Sequence, residues 1–465
     1  MTADDPSGPI PFRLLPDTAE LTDRGHLRIG GCSLVELAAE FGTPLFVYDE
    51  SHLRARCRAA VAAFDGCAAY AAKAFLCAAM ARLAISEGID IDVASGGELA
   101  TVLRAFEDAG ASGGDVARRV VMHGNNKSVG ELAMARAAGV GRIVVDSFAE
   151  LDRLEELHRA DGSVPRVLLR VTPDVRAETH EYISTGQADS KFGFGVGQGA
   201  AAEGAAGLAV KRAAAMSSVE LVGIHCHVGS QVFRVASLTR ALDAVAAFAG
   251  AMFGGTGFGG TGSGGAGPAA GPLRELSVGG GLGVAYVESE QAPTIAEWGQ
   301  ALTSRWAVLA EEHGLDARLV AEPGRAIAAT AAVTIYTVGA VKEVPGVRTY
   351  VAVDGGYGDN PRPMLYGSDY TAFMPARADE PRPQRVRLVG KHCESGDVIV
   401  RSAPVPAGLA AGDLVATPVT GAYGYSMGAP YNRIGRPAVV FVAGGDARLV
   451  IRRETIDDLL ALDVR

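Results

Sequence analysis

Apolar residues follow two different rhythms along this chain. Between residues 67 and 325 they form eight short, nearly unbroken runs: CAAYAAK (67–73), IDIDVAS (89–95), RVVMHG (119–124), RIVVDS (142–147), RVLLRVTP (166–173), LVGIHCHVG (221–229), LRELSVGGG (273–281) and RLVAEPGR (318–325). Runs of this length without polar alternation predict strands buried on both faces, as in a parallel sheet covered by helices. Most are separated by stretches of helical composition, such as GELATVLRAFEDAG and FAELDRLEELHRA. Eight strand–helix units in succession predict an α/β fold with a closed (β/α)8 barrel; a doubly wound open sheet is the alternative the same alternation allows.

After residue 330 the helical stretches almost vanish. AAVTIYTVGAVKEV, RTYVAVDGG, PQRVRLVGKHC, GDVIVRS and PAVVFVAGGDARLVIRRE are β-rich runs punctuated by turn signals. They predict a second, mostly antiparallel β-domain, a sandwich or barrel. HLRIGG and PLFVYDE near the N-terminus have the same texture. The expected organisation is therefore residues 1–47 as strands joining the β-domain, 48–329 as the barrel and 330–465 as the C-terminal β-domain. The segment GGTGFGGTGSGGAGPAAGP (254–272) is of low complexity and reads as a surface loop.

Composition narrows the function classes. With 465 residues and 48% hydrophobic content the chain can bury a large core in two domains. A formal charge of −10 without a basic run argues against nucleic acid and anionic membranes. No apolar run is expected to span a bilayer. The acidic, Pro-containing start MTADDPSGPIPF does not read as a secretory signal. The six cysteines (32, 57, 67, 77, 226 and 393) include no Cys-x-x-Cys pair, which suggests a reducing, cytoplasmic setting.

In a (β/α) barrel the C-terminal strand ends carry the chemistry. Here those ends hold Lys73, ASGGE, HGNNK, HCHVGSQ, GGGLG and EPGR. Lys73 reads either as a snorkelling strand-end lysine or as an amine desolvated for Schiff-base chemistry. GGGLG does not fit a dinucleotide fingerprint, because Tyr286 stands where the last glycine would be. Consecutive glycines after a strand do suit a phosphate, although an ordinary glycine turn reads the same way. The His225/His227 pair shows no nearby carboxylate or Cys-x-x-Cys to complete a metal site, so no metal is expected; one of the two imidazoles suits stacking on an aromatic cofactor. Glu322 and Arg325 read either as a surface ion pair or as a carboxylate and a guanidinium aimed at a cofactor. An amine, an anion cradle, a flat imidazole and a carboxylate together match the needs of pyridoxal 5'-phosphate.

Ten stretches carry a resemblance: YAAKAFL, DVASGGEL, HGNNKS, THEYISTGQADSKFGF, GIHCHVGSQ, GGGLG, EPGR, DGGYGDNPRPMLY, GKHCESGD and TGAYGYSM with its following YN. The chain resembles the fold-type III pyridoxal-phosphate decarboxylases, whose barrel is of the alanine-racemase-like type, and within them the diaminopimelate decarboxylase family, over about residues 28 to 465. The motif of alanine racemases around the lysine is not seen, and the small single-barrel pyridoxal-phosphate proteins lack a second domain.

The resemblance implies that Lys73 is the imine lysine and that His227 stacks on the pyridine face. It implies that Ser230, Gly280, Gly281 and the EPGR turn with Gly324 and Arg325 hold the cofactor, with Glu322 at the ring nitrogen and Tyr423 near the phosphate. Arg325, Arg362, Tyr366, Glu394 and Tyr423 are then substrate-binding. Cys393 is the acid that reprotonates the carbanion, and Cys393 and Glu394 enter from the other subunit of a homodimer. The implied reaction is decarboxylation of meso-2,6-diaminoheptanedioate to L-lysine and CO2, the last step of lysine biosynthesis. The alternatives are a related decarboxylase of ornithine, lysine, arginine or a carboxynorspermidine-like substrate, and an inactive binding protein on the same scaffold. The sequence departs from the family pattern in its long Gly-rich segment and in Met364, where a smaller residue is common.

Overall fold

The computed structural model describes residues 8–107, 113–173, 190–197, 204–254 and 271–464. Most of the Gly-rich segment and of THEYISTGQADS lies outside these residues. The chain divides into two compact units. One is residues 57–283 with 293–324, and the other is residues 1–56, 284–292 and 325–465. These limits differ from the expected ones at 47/48 and 329/330, and residues 284–292 group with the β-rich unit.

The first unit is a barrel of eight parallel strands in sequence order: Ala69–Ala71, Asp90–Val93, Val120–Met122, Arg142–Val145, Arg166–Thr172, Glu220–His225, Glu275–Ser277 and Arg318–Val320. Closure comes from a parallel bridge between Ala68 and Ala321, where the Ala69 N–H donates to the Ala321 carbonyl at 2.9 Å. Every predicted run contains one strand. Each strand is shorter than its run, because the last residues leave the ladder and form the rim. Small and branched side chains (Ala69, Val121, Val144, Leu168, Val222) fill one buried cluster.

Several helices between strands begin where the sequence offers side-chain acceptors. Ser128 with Glu131 and Thr294 with Glu297 form reciprocal capping boxes at Val129–Ala138 and Ile295–His313. ASGGE has the same role: Glu98 N–H donates to Ser95 Oγ, and Glu98 Oε2 accepts from Ala94 N–H at 2.6 Å. Helix Val235–Phe253 is long and apolar enough to cross a membrane, contrary to the expectation from sequence. Arg240 and Asp243 interrupt its run, and it buries Leu238, Leu242, Val245 and Ala249 within the barrel unit.

Ion pairs tie the strand beginnings together. Arg142 reaches Asp90 at 3.2 Å and Glu275 at 3.1 Å, and Arg318 reaches Glu275 at 2.7 Å. Charge at the N-terminal end therefore serves closure, and the chemistry of the C-terminal rim is separate.

The second unit is mostly antiparallel. Its main sheet runs Val398–Val405, Gln384–Val389, Arg348–Val353, Ala332–Val344, Leu45–Asp49, Ala438–Ala443 and Asp446–Ile451, with Leu414–Pro418 paired to Ala332–Val344. The long strand Ala332–Val344 pairs with Leu45–Asp49 and Leu414–Pro418 through its first half. Its second half pairs with Arg348–Val353 after a bulge between Val338 and Ala340. Leu45–Asp49 is buried at every position and also pairs in parallel with Ala438–Ala443. Strand Leu414–Pro418 lay hidden in sequence between Gly-containing turns.

Candidate active site

Lys73 sits on a 3-10 turn, Ala72–Ala74, directly after the first barrel strand. Ala71, Ala72, Ala74 and Phe75 are buried, whereas Lys73 itself is exposed in the structure, not desolvated as one of its two sequence readings expected. The EPGR turn packs against this turn. Ala71 N–H donates to the Pro323 carbonyl at 3.2 Å, and a Cβ on Gly324 would stand 2.9 Å from the Ala71 Cβ. Gly324 and the alanines are small because the two turns touch.

Three consecutive glycines after the seventh strand permit equally close approach. A Cβ on Gly279 would meet the Cys226 carbonyl at 2.7 Å, one on Gly280 the Glu322 carbonyl at 2.3 Å, and one on Gly281 the Gly229 carbonyl at 2.4 Å. Gly279 and Gly281 also have φ of 64° and 113°. The Gly280 N–H donates to His227 Nδ1 at 3.2 Å. The loop carrying Ser230 pairs back through Val232, whose N–H donates to the Gly281 carbonyl at 2.9 Å. His227, Ser230, Gly280 and Gly281 therefore belong to one constellation.

Glu322 follows the eighth strand and is 5% exposed. Its Oε1 accepts from Ser277 Oγ at 2.9 Å, and its Oε2 faces His225 Nε2 at 3.0 Å. His123 Nε2 stands 3.4 Å from Glu322 Oε1 and 3.6 Å from Asp92 Oδ1. The sequence reading placed no carboxylate beside the histidine pair; barrel closure brings one there. His123, His225 and Glu322 each bring one polar atom within 4.8 Å of the others, and the Glu322 oxygens are already engaged in hydrogen bonds.

The electrostatics are those of a dry, mixed-charge pocket. Burial opposes ionisation of Glu322, yet the His225 and His123 imidazoles outweigh it and hold this carboxyl well below the usual range. Burial pushes His225 down to about 4. Burial, then the Lys73 and Arg170 charges, depress His227, which is a neutral imidazole at pH 7. Burial raises Asp92, and the charge of Glu322 adds to the rise. HGNNK supplies His123 to this pocket, and its lysine has a structural role. Lys127 Nζ is buried between Glu150 Oε1 at 2.8 Å and the Gly124 and Val144 carbonyls, both at 2.7 Å.

The β-rich unit has its own cluster of cations and phenols. Arg325 donates to the Tyr286 hydroxyl at 2.6 Å and lies 4.7 Å from the Tyr423 ring centre. Arg362 stacks 4.1 Å over Tyr286 and donates to the Tyr370 and Ser368 hydroxyls. Arg362 is 5% exposed and makes no ion pair with a carboxylate among the described residues, so the surface-arginine reading is excluded. Burial raises the Tyr370 phenol to about 12. Tyr366 ends the helix Arg362–Tyr366 and is half-buried; the partners of Arg362 are Tyr286 and Tyr370 in its place. Sequence reasoning passed over both phenols, and met Tyr286 only as a failed glycine position.

Cys393 and Glu394 lie exposed on a separate loop. The Cys393 N–H donates to Asn432 Oδ1 at 3.0 Å. Asp397 anchors the loop from within, accepting from the His392 and Tyr357 backbone N–H groups at 2.8 and 2.6 Å and facing His392 Nδ1 at 3.0 Å. Met364 lies 3.4 Å from where a Cβ on Gly396 would stand, so this departure borders the Cys393 loop. None of the six cysteines forms a disulfide among the described residues.

A barrel with an amine after strand one, a glycine cradle after strand seven and an ionised carboxylate after strand eight defines a pyridoxal-dependent type of site. The pyridoxal-dependent decarboxylase family, in its pyridoxal binding domain, matches residues 50–329. Diaminopimelate decarboxylase of Mycobacterium tuberculosis is 46% identical over 448 residues, covering 95% of each chain. That of Bacillus subtilis is 41% identical, covering 97% of this chain and 98% of that protein. The solved diaminopimelate decarboxylase from M. jannaschii in co-complex with L-lysine superposes with a TM-score of 0.82 at 31% identity, covering 97% and 98% of the two chains. The chain belongs to the diaminopimelate decarboxylase family of pyridoxal-dependent decarboxylases.

Proposed function

We propose that this chain decarboxylates meso-2,6-diaminoheptanedioate to L-lysine and CO2, with pyridoxal 5'-phosphate attached at Lys73. The observation that carries the reading is the convergence, on one barrel rim, of Lys73, the Gly279–Gly281 cradle and an ionised, buried Glu322. The rim fits the cofactor: consecutive glycines after a strand, packed tightly against the neighbouring loops, suit a phosphate, and an anionic carboxylate complements a protonated ring nitrogen. When bound, the cofactor supplies an electron sink for the pair left at Cα as CO2 departs.

The protein's own groups do the rest. Lys73 offers the amine for attachment. Neutral His227 presents a flat face. Glu322 holds a proton at the ring nitrogen. Gly280, Gly281, Gly324, Ser230 and Tyr423 hold the phosphate end. Arg325, Arg362 and Tyr366 bind the substrate, and Tyr286 and Tyr370 orient the two guanidiniums. A substrate with two carboxylates requires a second cation, which Arg362 supplies. In a homodimer, Cys393 and Glu394 of one subunit complete the partner's site; Cys393 returns the proton to Cα, and Glu394 binds the distal amino group. The exposure of that loop supports such a role.

CO2 release from meso-diaminopimelate, ornithine, lysine and arginine tests the reading. Turnover of the first alone is expected. Preference for a substrate without the distal amino acid group would establish the related-decarboxylase alternative, and no turnover with bound cofactor would establish a binding protein.

A further inference from the structure

Glu322 lies in a place hostile to a carboxylate. At 5% exposure, a lone carboxyl would bind a proton in preference to losing its hydration. The groups arranged around it come from every neighbouring strand end: Lys73, Asp92, His123, Arg170, His225, Cys226, His227 and Ser277. Ser277 at 2.9 Å, His225 at 3.0 Å and His123 at 3.4 Å each set a polar atom against its oxygens. Ser277 alone is a neutral donor to one oxygen. The imidazoles of His225 and His123, edge to face at 4.9 Å, cover the carboxylate from two other strands.

The tautomer of His225 follows from its surroundings. Its Nδ1 is buried and has no hydrogen-bond partner among the described residues. A buried N–H without an acceptor is costly, so the proton belongs on Nε2, where it is donated to Glu322. His123 stands between Glu322 and Asp92, and Asp92, raised by burial, is the carboxyl of the two that more readily keeps its proton.

We propose that His225 and His123 are positioning residues that keep the Glu322 carboxylate ionised and aimed, so that a relay of three side chains governs the proton at the cofactor's ring nitrogen. This rests on the reading that Glu322 faces that nitrogen. A protonated Glu322 would act as a donor there and no longer hold the ring protonated.

The test uses pyridoxal phosphate labelled with 15N in the ring, bound to wild-type protein and to Glu322→Gln, His225→Leu, His225→Gln and His123→Leu. The 15N shift should report a protonated ring in wild type and a neutral ring in Glu322→Gln and His225→Leu. His225→Gln, which retains a donor, should restore most of the protonated signal. kcat in His225→Leu should fall about tenfold or more, with KM within about twofold. In the apo-proteins, the infrared band of the ionised carboxylate, assigned by its loss in Glu322→Gln, should titrate at least about one pH unit higher in His225→Leu or His123→Leu. If His225→Leu does not fold, His123→Leu and His225→Gln carry both measurements. Variants that lose an imidazole yet keep a protonated ring and an unshifted band would overturn the relay. A ring still protonated in Glu322→Gln would instead overturn the placement of Glu322 at the ring nitrogen.

Discussion

Gly281→Ala adds one methyl group at a crowded point of the cradle where the backbone φ is also positive. The new Cβ would lie 2.4 Å from the Gly229 carbonyl oxygen, where a relaxed contact needs about 3.2 Å or more. The backbone at Gly281 has φ of 113°, a conformation that costs a residue with a Cβ roughly 1–3 kcal/mol. Overpacking against a fixed backbone carbonyl adds about 1–3 kcal/mol. If the loops hold their positions, the barrel loses roughly 2–6 kcal/mol, a drop in melting temperature on the order of 5–20 °C for a unit of this size. If they relax instead, the turn following Gly229 and the Gly280 N–H on His227 shift by several tenths of an ångström, and stability is kept at the expense of cofactor affinity. Thermal melting and fluorescence titration of the apo-protein with pyridoxal phosphate measure the two outcomes together. A variant with an unchanged melting temperature and a dissociation constant within twofold of wild type would refute the claim that the glycine is sterically required.

Arg362→Ala should raise KM for the two-carboxylate substrate while a borohydride-reducible attachment of cofactor to Lys73 persists; a wild-type KM would remove Arg362 from substrate binding. Mixing Lys73→Ala and Cys393→Ala chains, each nearly inactive alone, should restore roughly a quarter of wild-type activity after random subunit exchange, because one site of each mixed dimer escapes both changes. Mixed dimers isolated by two different tags that show no gain would place Cys393 within its own chain or outside the chemistry. Asp359 is 4% exposed, and burial raises its carboxyl to about 7. The unfolded chain ionises near 3.8, so the native state is favoured below that pH and loses stability as pH rises through about 7. Asp359→Asn should therefore melt higher than wild type at pH 8, with the gap closing toward pH 4; a gap that does not change with pH would show that Asp359 ionises normally.

The barrel was legible because strands buried on both faces leave an uninterrupted apolar trace, and all eight runs contain one strand. Their ends were less legible. CAAYAAK contributes only Ala69–Ala71 to the ladder because the residues up to Lys73 turn out to build the rim. Contacts across the bore were not readable at all. His225 meets Glu322 97 residues further on, and no local spacing encodes a meeting that depends on closure. For the same reason the HCH pair was read as a stacking group with no metal, and the carboxylate beside it stayed out of view. ASGGE and HGNNK were noticed for their polarity, which serves a helix cap in the first and a buried lysine in the second, beside His123. Arg362 was assigned to substrate by resemblance. Its phenolic neighbours Tyr286 and Tyr370 lie 76 residues upstream and 8 downstream, and only the fold makes them one cluster.

The strand Leu45–Asp49 has a consequence during synthesis. It is buried at all five positions between Ala332–Val344 and Ala438–Ala443, both of which leave the ribosome much later. At translation rates of about 5–20 residues per second, roughly 15–60 s pass before the first of these partners exists. Throughout that interval a segment with both ladder edges open and an apolar face on each side has nothing of its own sheet to pair with. It is in this period, before any catalytic group is assembled, that the nascent chain is most open to pairing with another copy of itself.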